Sequence, residues 1–336
     1  MATVGTPFLW IGFMVLILAM LALDLGVLNR RAHVVAPREA LRCTFLWIGV
    51  ALAFNGFIYF RFGPDKALEF LTGYLIEKAL SVDNLFVFLV IFSYFSVPAE
   101  YQHRVLFWGV LGAIVLRAVF ILLGAALLHR FHWLLFLFGA FLVFTGIRLL
   151  FEKGESVHPE RNPVVRLFER WVPMVHDYHN SHFFTLREGR RYATPLLLVL
   201  LVVEATDVIF AVDSIPAIFA VTPDPFIVFT SNIFAILGLR ALYFLLADSL
   251  ERFRYLKVGL GTVLLFIGAK MLISDWYKIP IGVSLVVVVL LLGGSIAWSL
   301  RSPAAAEKAR APVVDEESAS ESRSEKPRPK RRRAAE

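Results

Sequence analysis

Cysteine is almost missing from this chain: Cys43 stands alone among 336 residues. A single thiol excludes an intrachain disulfide and a thiolate metal cluster, so any metal site must be built from oxygen or imidazole. Charge is scarce as well. Asp, Glu, Lys and Arg supply 18% of the residues and AVILMFWYC 58%, against roughly 25% and 45–50% in soluble domains. The motifs GxxxxGK[ST], GxSxG and HExxH do not occur, which argues against an ATP-driven pump and an intramembrane protease. No enzymatic activity, catalytic residue or resident cofactor is expected.

What the chain has instead is apolar sequence in runs of about 20 residues, one membrane crossing each. Nine candidate spans fall at 8–28, 43–61, 68–95, 105–127, 132–151, 194–220, 226–247, 256–274 and 280–300. The expected fold is therefore all-α, a polytopic membrane helix bundle of about nine transmembrane helices. The first run lacks a basic region before it and a small-residue cleavage site after it, so it reads as a retained span and not a signal peptide. The net charge of +7 does not point to nucleic acid, because much of the basic surplus sits in short loops and at the C-terminus. Arg30, Arg31, Arg38 and Arg42 fill the first loop, and Lys153 through Arg191 the fifth. By the positive-inside rule the odd loops and the C-terminus are cytoplasmic and the N-terminus is outside.

One span breaks the apolar pattern. EATDVIFAVDSIP, residues 204–216, sets Glu204, Asp207 and Asp213 inside a membrane run, where each ionised carboxylate costs roughly 2.5–3.5 kcal/mol on insertion scales. Three of them demand a partner. The stretch also has an echo, because residues 75–88 align with 205–218: Glu77 falls on Asp207, and Asp83-Asn84 on Asp213-Ser214. Farther on, Leu116-Arg117-Ala118 matches Leu239-Arg240-Ala241, and Gly139, Gly146 and Arg148 match Gly261, Gly268 and Lys270. We read this as an internal duplication. The copies start at the third and sixth spans, an odd number of crossings apart, which makes them an inverted repeat of three helices each. Transporters use such repeats to place a site near the bilayer midplane.

The resulting organisation is two N-terminal helices (1–67), a first repeat (68–151), a cytoplasmic connector (152–192), a second repeat (193–275), a final helix (276–300) and a disordered basic tail (301–336). A short amphipathic helix is expected around Val164–Val172. Connector and tail offer surfaces for protein partners, and the tail's basic cluster could touch anionic lipid.

Glu204 and Asp207 share a helical face, whereas Asp213 lies roughly 120° away from Asp207. Pro216 cannot donate to the carbonyl of Val212, so a kink or opening is expected at Asp213-Ser214. Pooled across the repeats, Glu77, Asp83, Asn84, Glu204, Asp207, Asp213 and Ser214 form an all-oxygen metal site suited to magnesium, calcium or manganese. The bland reading makes these acids ion-pair partners of Arg117, Arg240 and Lys78, yet five acids exceed three cations. Arg117 and Arg240 themselves read as symmetric anchors or as groups that reset an emptied site. Asp24 reads as an interface cap or a supporting acid. His176, His179 and His182 recur at intervals of three, a spacing unlike a standard zinc pattern.

EKALSVDN (77–84), VVEATDVIFAVDSIPAIFAVT (202–222) and TSNIFAILGLRALYFLL (230–246) resemble the TerC family of bacterial integral membrane proteins, and the likeness covers about residues 8–300. That resemblance implies the LysE-type transporter superfamily, a link to tellurium resistance by name, and manganese(II) export by some members. It also implies a metal path through Glu77, Asp83, Glu204, Asp207 and Asp213. The expected function is thus a secondary transporter in the bacterial inner membrane that exports a divalent cation, manganese(II) first, with proton or membrane potential as drive. Two alternatives stand beside it: a membrane scaffold for stress-response or secretion partners, and a proton-coupled solute or anion carrier with Arg117 and Arg240 as clamp.

Overall fold

The computed structural model describes residues 3–23, 37–131, 133–151, 172–175, 182–187, 190–246 and 255–301. Ten helices are defined there: α1 (Pro7–Leu23), α2 (Pro37–Phe62), α3 (Pro64–Tyr94), α4 (Ala99–Arg130), α5 (Leu134–Phe151), α6 (Pro195–Phe219), α7 (Pro225–Leu237), α8 (Leu239–Leu246), α9 (Leu256–Leu272) and α10 (Ile281–Arg301). Proline opens five of them (Pro7, Pro37, Pro64, Pro195 and Pro225). It fits there because the first turn needs no N–H and the ring presets the helical φ. Between α2 and α3 the chain reverses at Gly63, whose φ of 94° disfavours any residue with a side chain.

Helix occupies all nine places expected from the apolar runs. Six stretches are long and apolar enough to cross a membrane: α2, α4, α5, α6, α7 together with α8, and α10. The other three are weaker. Helices α1 and α9 have 17 residues each, and α3, with 31, carries Asp65, Lys66, Glu69, Glu77, Lys78 and Asp83. The run at 226–247 is not one helix but two, interrupted at Gly238.

Two further expectations need correction. Helix α6 does not open at Asp213-Ser214; it continues through Pro216 to Phe219. A proline one turn from a helix end removes a single backbone bond and leaves little downstream helix to redirect. The connector holds a β-hairpin that the apolar pattern did not announce. Its strands β1 (Phe184–Arg187) and β2 (Arg190–Ala193) pair antiparallel, with Phe184 opposite Ala193. Phe183 packs edge-on against Trp108, and the Arg104 guanidinium lies 5.2 Å above the Phe183 ring, so the hairpin is fixed to the start of α4. The expected helix around Val164–Val172 lies almost wholly outside the described residues, as does the tail after 301.

The bundle packs in crossed pairs: α3 against α7, α4 against α6, and α5 against α9. The last pair is the closest. A Cβ built on Gly139 would stand 3.1 Å from the Gly268 carbonyl oxygen, and one on Gly268 would stand 2.7 Å from that of Gly139. Gly146 and Gly261 repeat the relation at 2.8 and 3.0 Å. Because 139 meets 268 while 146 meets 261, the two helices run antiparallel, backbone against backbone.

On the far side, α1 and α2 surround an aromatic core in which Phe13, Phe54, Phe70, Phe226, Phe229 and Phe234 meet. The N-terminal segment is tied to α7. Thr3 Oγ1 and the Val4 amide each donate to the Asp224 carboxylate at 2.8 Å, and Asp224 also caps α7 through the Phe226 amide at 3.0 Å.

Candidate functional site

A cavity of about 140 Å³ lies where α3 and α6 meet the α5–α9 pair. Helix α3 contributes Glu77, Asp83 and Asn84, α4 Arg117, α5 Thr145 and Arg148, and α6 Asp213 and Ser214; Leu260 and Leu264 of α9 form an apolar wall. Residues 77, 81 and 84 fall at i, i+4 and i+7, a single stripe of α3. Along that stripe Glu77 Oε2, Ser81 Oγ and Asn84 Oδ1 are buried with no hydrogen-bond partner in the protein. Buried polar atoms are normally satisfied, so three orphaned oxygens on one stripe stand out; two of the three residues, Glu77 and Asn84, line the cavity.

Arg117 dominates the inner wall. It is 1% exposed and joins both halves of the chain. Nη2 and Nε donate to the two Asp207 oxygens at 2.9 and 3.3 Å, a forked grip. Nη1 donates to Glu77 Oε1, to Asn232 Oδ1 at 3.2 Å and to Ser214 Oγ at 3.5 Å. One guanidinium therefore holds Glu77 and Asp207, the two carboxylates that the sequence alignment of 75–88 with 205–218 sets opposite each other.

The remaining acids separate. Asp213 accepts from Thr145 Oγ1 at 3.3 Å across the cavity. Asp83, at the mouth, faces Lys257 Nζ at 3.8 Å. Glu204 does not reach the cavity lining. Its carboxylate rests on α4 where Gly112 leaves room: a Cβ there would collide with both carboxylate oxygens, and Glu204 Oε2 is buried without a partner. Of the seven residues expected at the site, the structure thus brings Glu77, Asp83, Asn84, Asp213 and Ser214 to one hollow, sets Asp207 behind Arg117, and sends Glu204 to the α4–α6 contact.

The cations expected to neutralise these acids do so unequally. Lys78 turns away from the cavity and donates to the Ala235 carbonyl at 3.2 Å, capping the end of α7 where Gly238 interrupts it. Arg240 reaches His103 Nε2 at 3.2 Å. Among the described residues, no three His, Cys, Asp or Glu side chains close on a common point. In this conformation the space between Glu77 and Asp207 is taken by the guanidinium.

Ser81, Thr145 and Asn232 escaped the sequence reading, and Arg148 entered it only as the match of Lys270, not as a site residue. Ser81 could have been found, since it sits one turn from both Glu77 and Asn84; a hydroxyl or amide inside an apolar run carries no such marker. His176, His179 and Asp24 lie outside the described residues. His182 is exposed, and its backbone carbonyl accepts from Thr194 Oγ1 at 2.7 Å.

A family model described as "Integral membrane protein TerC family" matches residues 62–306. An "Uncharacterized membrane protein STKORF319" of Myxococcus xanthus is 57% identical over 298 residues, covering 89% of this chain and 93% of that protein. The "Putative membrane-bound redox modulator Alx" of Escherichia coli (strain K12) is 54% identical over 297 residues, covering 86% and 92%. An "Uncharacterized membrane protein" of Rickettsia bellii is 41% identical over 283 residues, covering 84% and 94%. No solved structure matches the chain.

Proposed function

This chain belongs to the TerC family of integral membrane proteins, and we propose that it is a secondary transporter exporting a divalent metal cation, manganese(II) first, from the bacterial cytoplasm. The observation that carries the proposal is the cavity shared by α3 and α6, where Glu77 and Asn84, each with a buried oxygen that has no hydrogen-bond partner, line one hollow with Asp213 and Ser214. Carboxylate, amide and hydroxyl oxygens are hard ligands, which favours magnesium, calcium or manganese over zinc or copper. The sole cysteine, Cys43, leaves no dithiol within one chain for the redox role in the Alx name.

The crossed pairing supports the inverted-repeat reading. If α3–α5 and α6–α9 are copies, a two-fold axis in the membrane plane exchanges the α3–α7 contact with α4–α6 and maps Gly139–Gly268 onto Gly261–Gly146. Such a pair of halves can rock about a central site. The basic odd-numbered loops support a cytoplasmic connector and C-terminus, and the contacts of Thr3 and Val4 with Asp224, beside the 221–225 loop, are consistent with that orientation. Protons compete with the metal for Glu77, Asp83 and Asp213, so binding weakens as pH falls.

Manganese efflux from loaded vesicles tests the proposal directly, with calcium and magnesium as parallel substrates. Wild type should export manganese, and Asp213→Asn should lower the rate at least about tenfold by removing a charged ligand worth more than about 1.4 kcal/mol. Equal efflux from the two would sink it.

A further inference from the structure

Arg117 is held by its two edges in different ways. The Nε and Nη2 edge forks onto Asp207, which lies outside the cavity lining, whereas Nη1 faces Glu77 and Ser214, which line it. The first grip can persist while the second is given up. Glu77, which lines the cavity, also has a second buried oxygen, Oε2, that neither the arginine nor any other hydrogen-bond partner uses. Taking the transport reading above as its basis, we infer that Arg117 is the internal counter-ion of the empty carrier: it neutralises Glu77 when no metal is bound and yields that carboxylate to the incoming dication.

The physical need is plain. A transporter must return empty after each release, and a bare carboxylate in a dry membrane interior opposes that step. A proton could serve, but it must be fetched and discharged in every cycle. A guanidinium keeps its charge throughout, and that of Arg117 already stands in the cavity wall on a 32-residue helix. The grip on Asp207 keeps it from leaving the bundle. Ser214 and Asn232, both buried, offer Nη1 neutral acceptors at 3.5 and 3.2 Å while Glu77 is engaged elsewhere. Arg117 is thereby a positioning and counter-charge residue and not a metal ligand.

Two fluxes separate this role from a structural one. Exchange of internal for external manganese needs only the loaded carrier, whereas net efflux into metal-free medium needs the empty return. In reconstituted vesicles Arg117→Gln should retain exchange but lose net efflux by about a hundredfold, the population ratio implied by an uncompensated membrane carboxylate. Arg117→Lys, which keeps the charge and loses the fork, should retain more net efflux than Arg117→Gln. If Arg117→Gln does not assemble, the double variant Arg117→Gln with Asp207→Asn leaves one fewer bare carboxylate and should show the same split. Exchange and net efflux falling together, or both surviving, overturns the inference. Asp213→Asn should lose both fluxes; if it loses neither, the transport reading itself has failed, a result distinct from failure of the Arg117 role.

Discussion

The two arginines of the LRA repeats began from one sequence pattern and reached opposite situations. Arg117 lies in an unbroken helix of 32 residues and gathers Glu77, Asp207, Ser214 and Asn232 around it. Arg240 follows a break at Gly238 and reaches His103. The reason is spatial. On the proposed inverted repeat, two guanidiniums cannot occupy one point on the two-fold axis, so an arginine gripping both Glu77 and Asp207 would displace its counterpart. Lys78 satisfies the end of α7 beside the Gly238 break. If the halves are copies, the sequence supplies two candidates for a central role, and occupancy by one makes the other different.

The strongest way to break that comparison is to remove each arginine in turn and follow thermal unfolding in detergent. Arg117→Gln strands two buried carboxylates and should cost about 3–5 kcal/mol. Arg240→Gln removes the contact with His103 and strands neither Glu77 nor Asp207, so it should cost less. Equal losses would show that the asymmetry has no energetic content.

Where the halves match, equal effects are expected instead. Gly146→Ala and Gly268→Ala place a methyl 2.8 and 2.7 Å from backbone carbonyls across the α5–α9 seam, so each should destabilise by about 1–3 kcal/mol, and by similar amounts. Gly282→Ala, with open space around it, is the control and should be neutral or slightly stabilising. A large difference between the seam variants would break the two-fold relation. Lys78→Met uncovers the Ala235 carbonyl and should cost about 1–2 kcal/mol, read as faster hydrogen exchange at the α7–α8 junction. The smallest effect belongs to Thr3→Ala, which removes one part-buried bond to Asp224 and should cost about 0.5–1 kcal/mol in the same unfolding assay.

Much of the architecture could be read from the chain because hydropathy in a membrane is a strong, local signal. The acids of 77–84 and 204–213 stood out for the same reason, as charges in apolar runs. Their partners did not stand out. Asp207 and Ser214, seven apart, share a helical face, and both meet Arg117; which cation would face them depended on how α4 crosses α6, a tertiary fact. Glu204 shares a face with Asp207, and both meet α4, but Glu204 settles over Gly112, where a missing side chain leaves room, and not beside Arg117. The break at Gly238 was hidden because a glycine in a membrane run is as often a packing residue as a stop. Pro216 misled in the other direction, since its position near the end of α6 blunts its power to bend the helix.

The α5–α9 seam has a thermodynamic consequence of its own. Four glycines there contribute no rotamers, so bringing the two helices together freezes no side-chain freedom at the closest points, and drawing them apart releases none. A joint of that kind can part and re-form with little entropic penalty in either direction, which would suit a boundary between the moving halves of the proposed carrier.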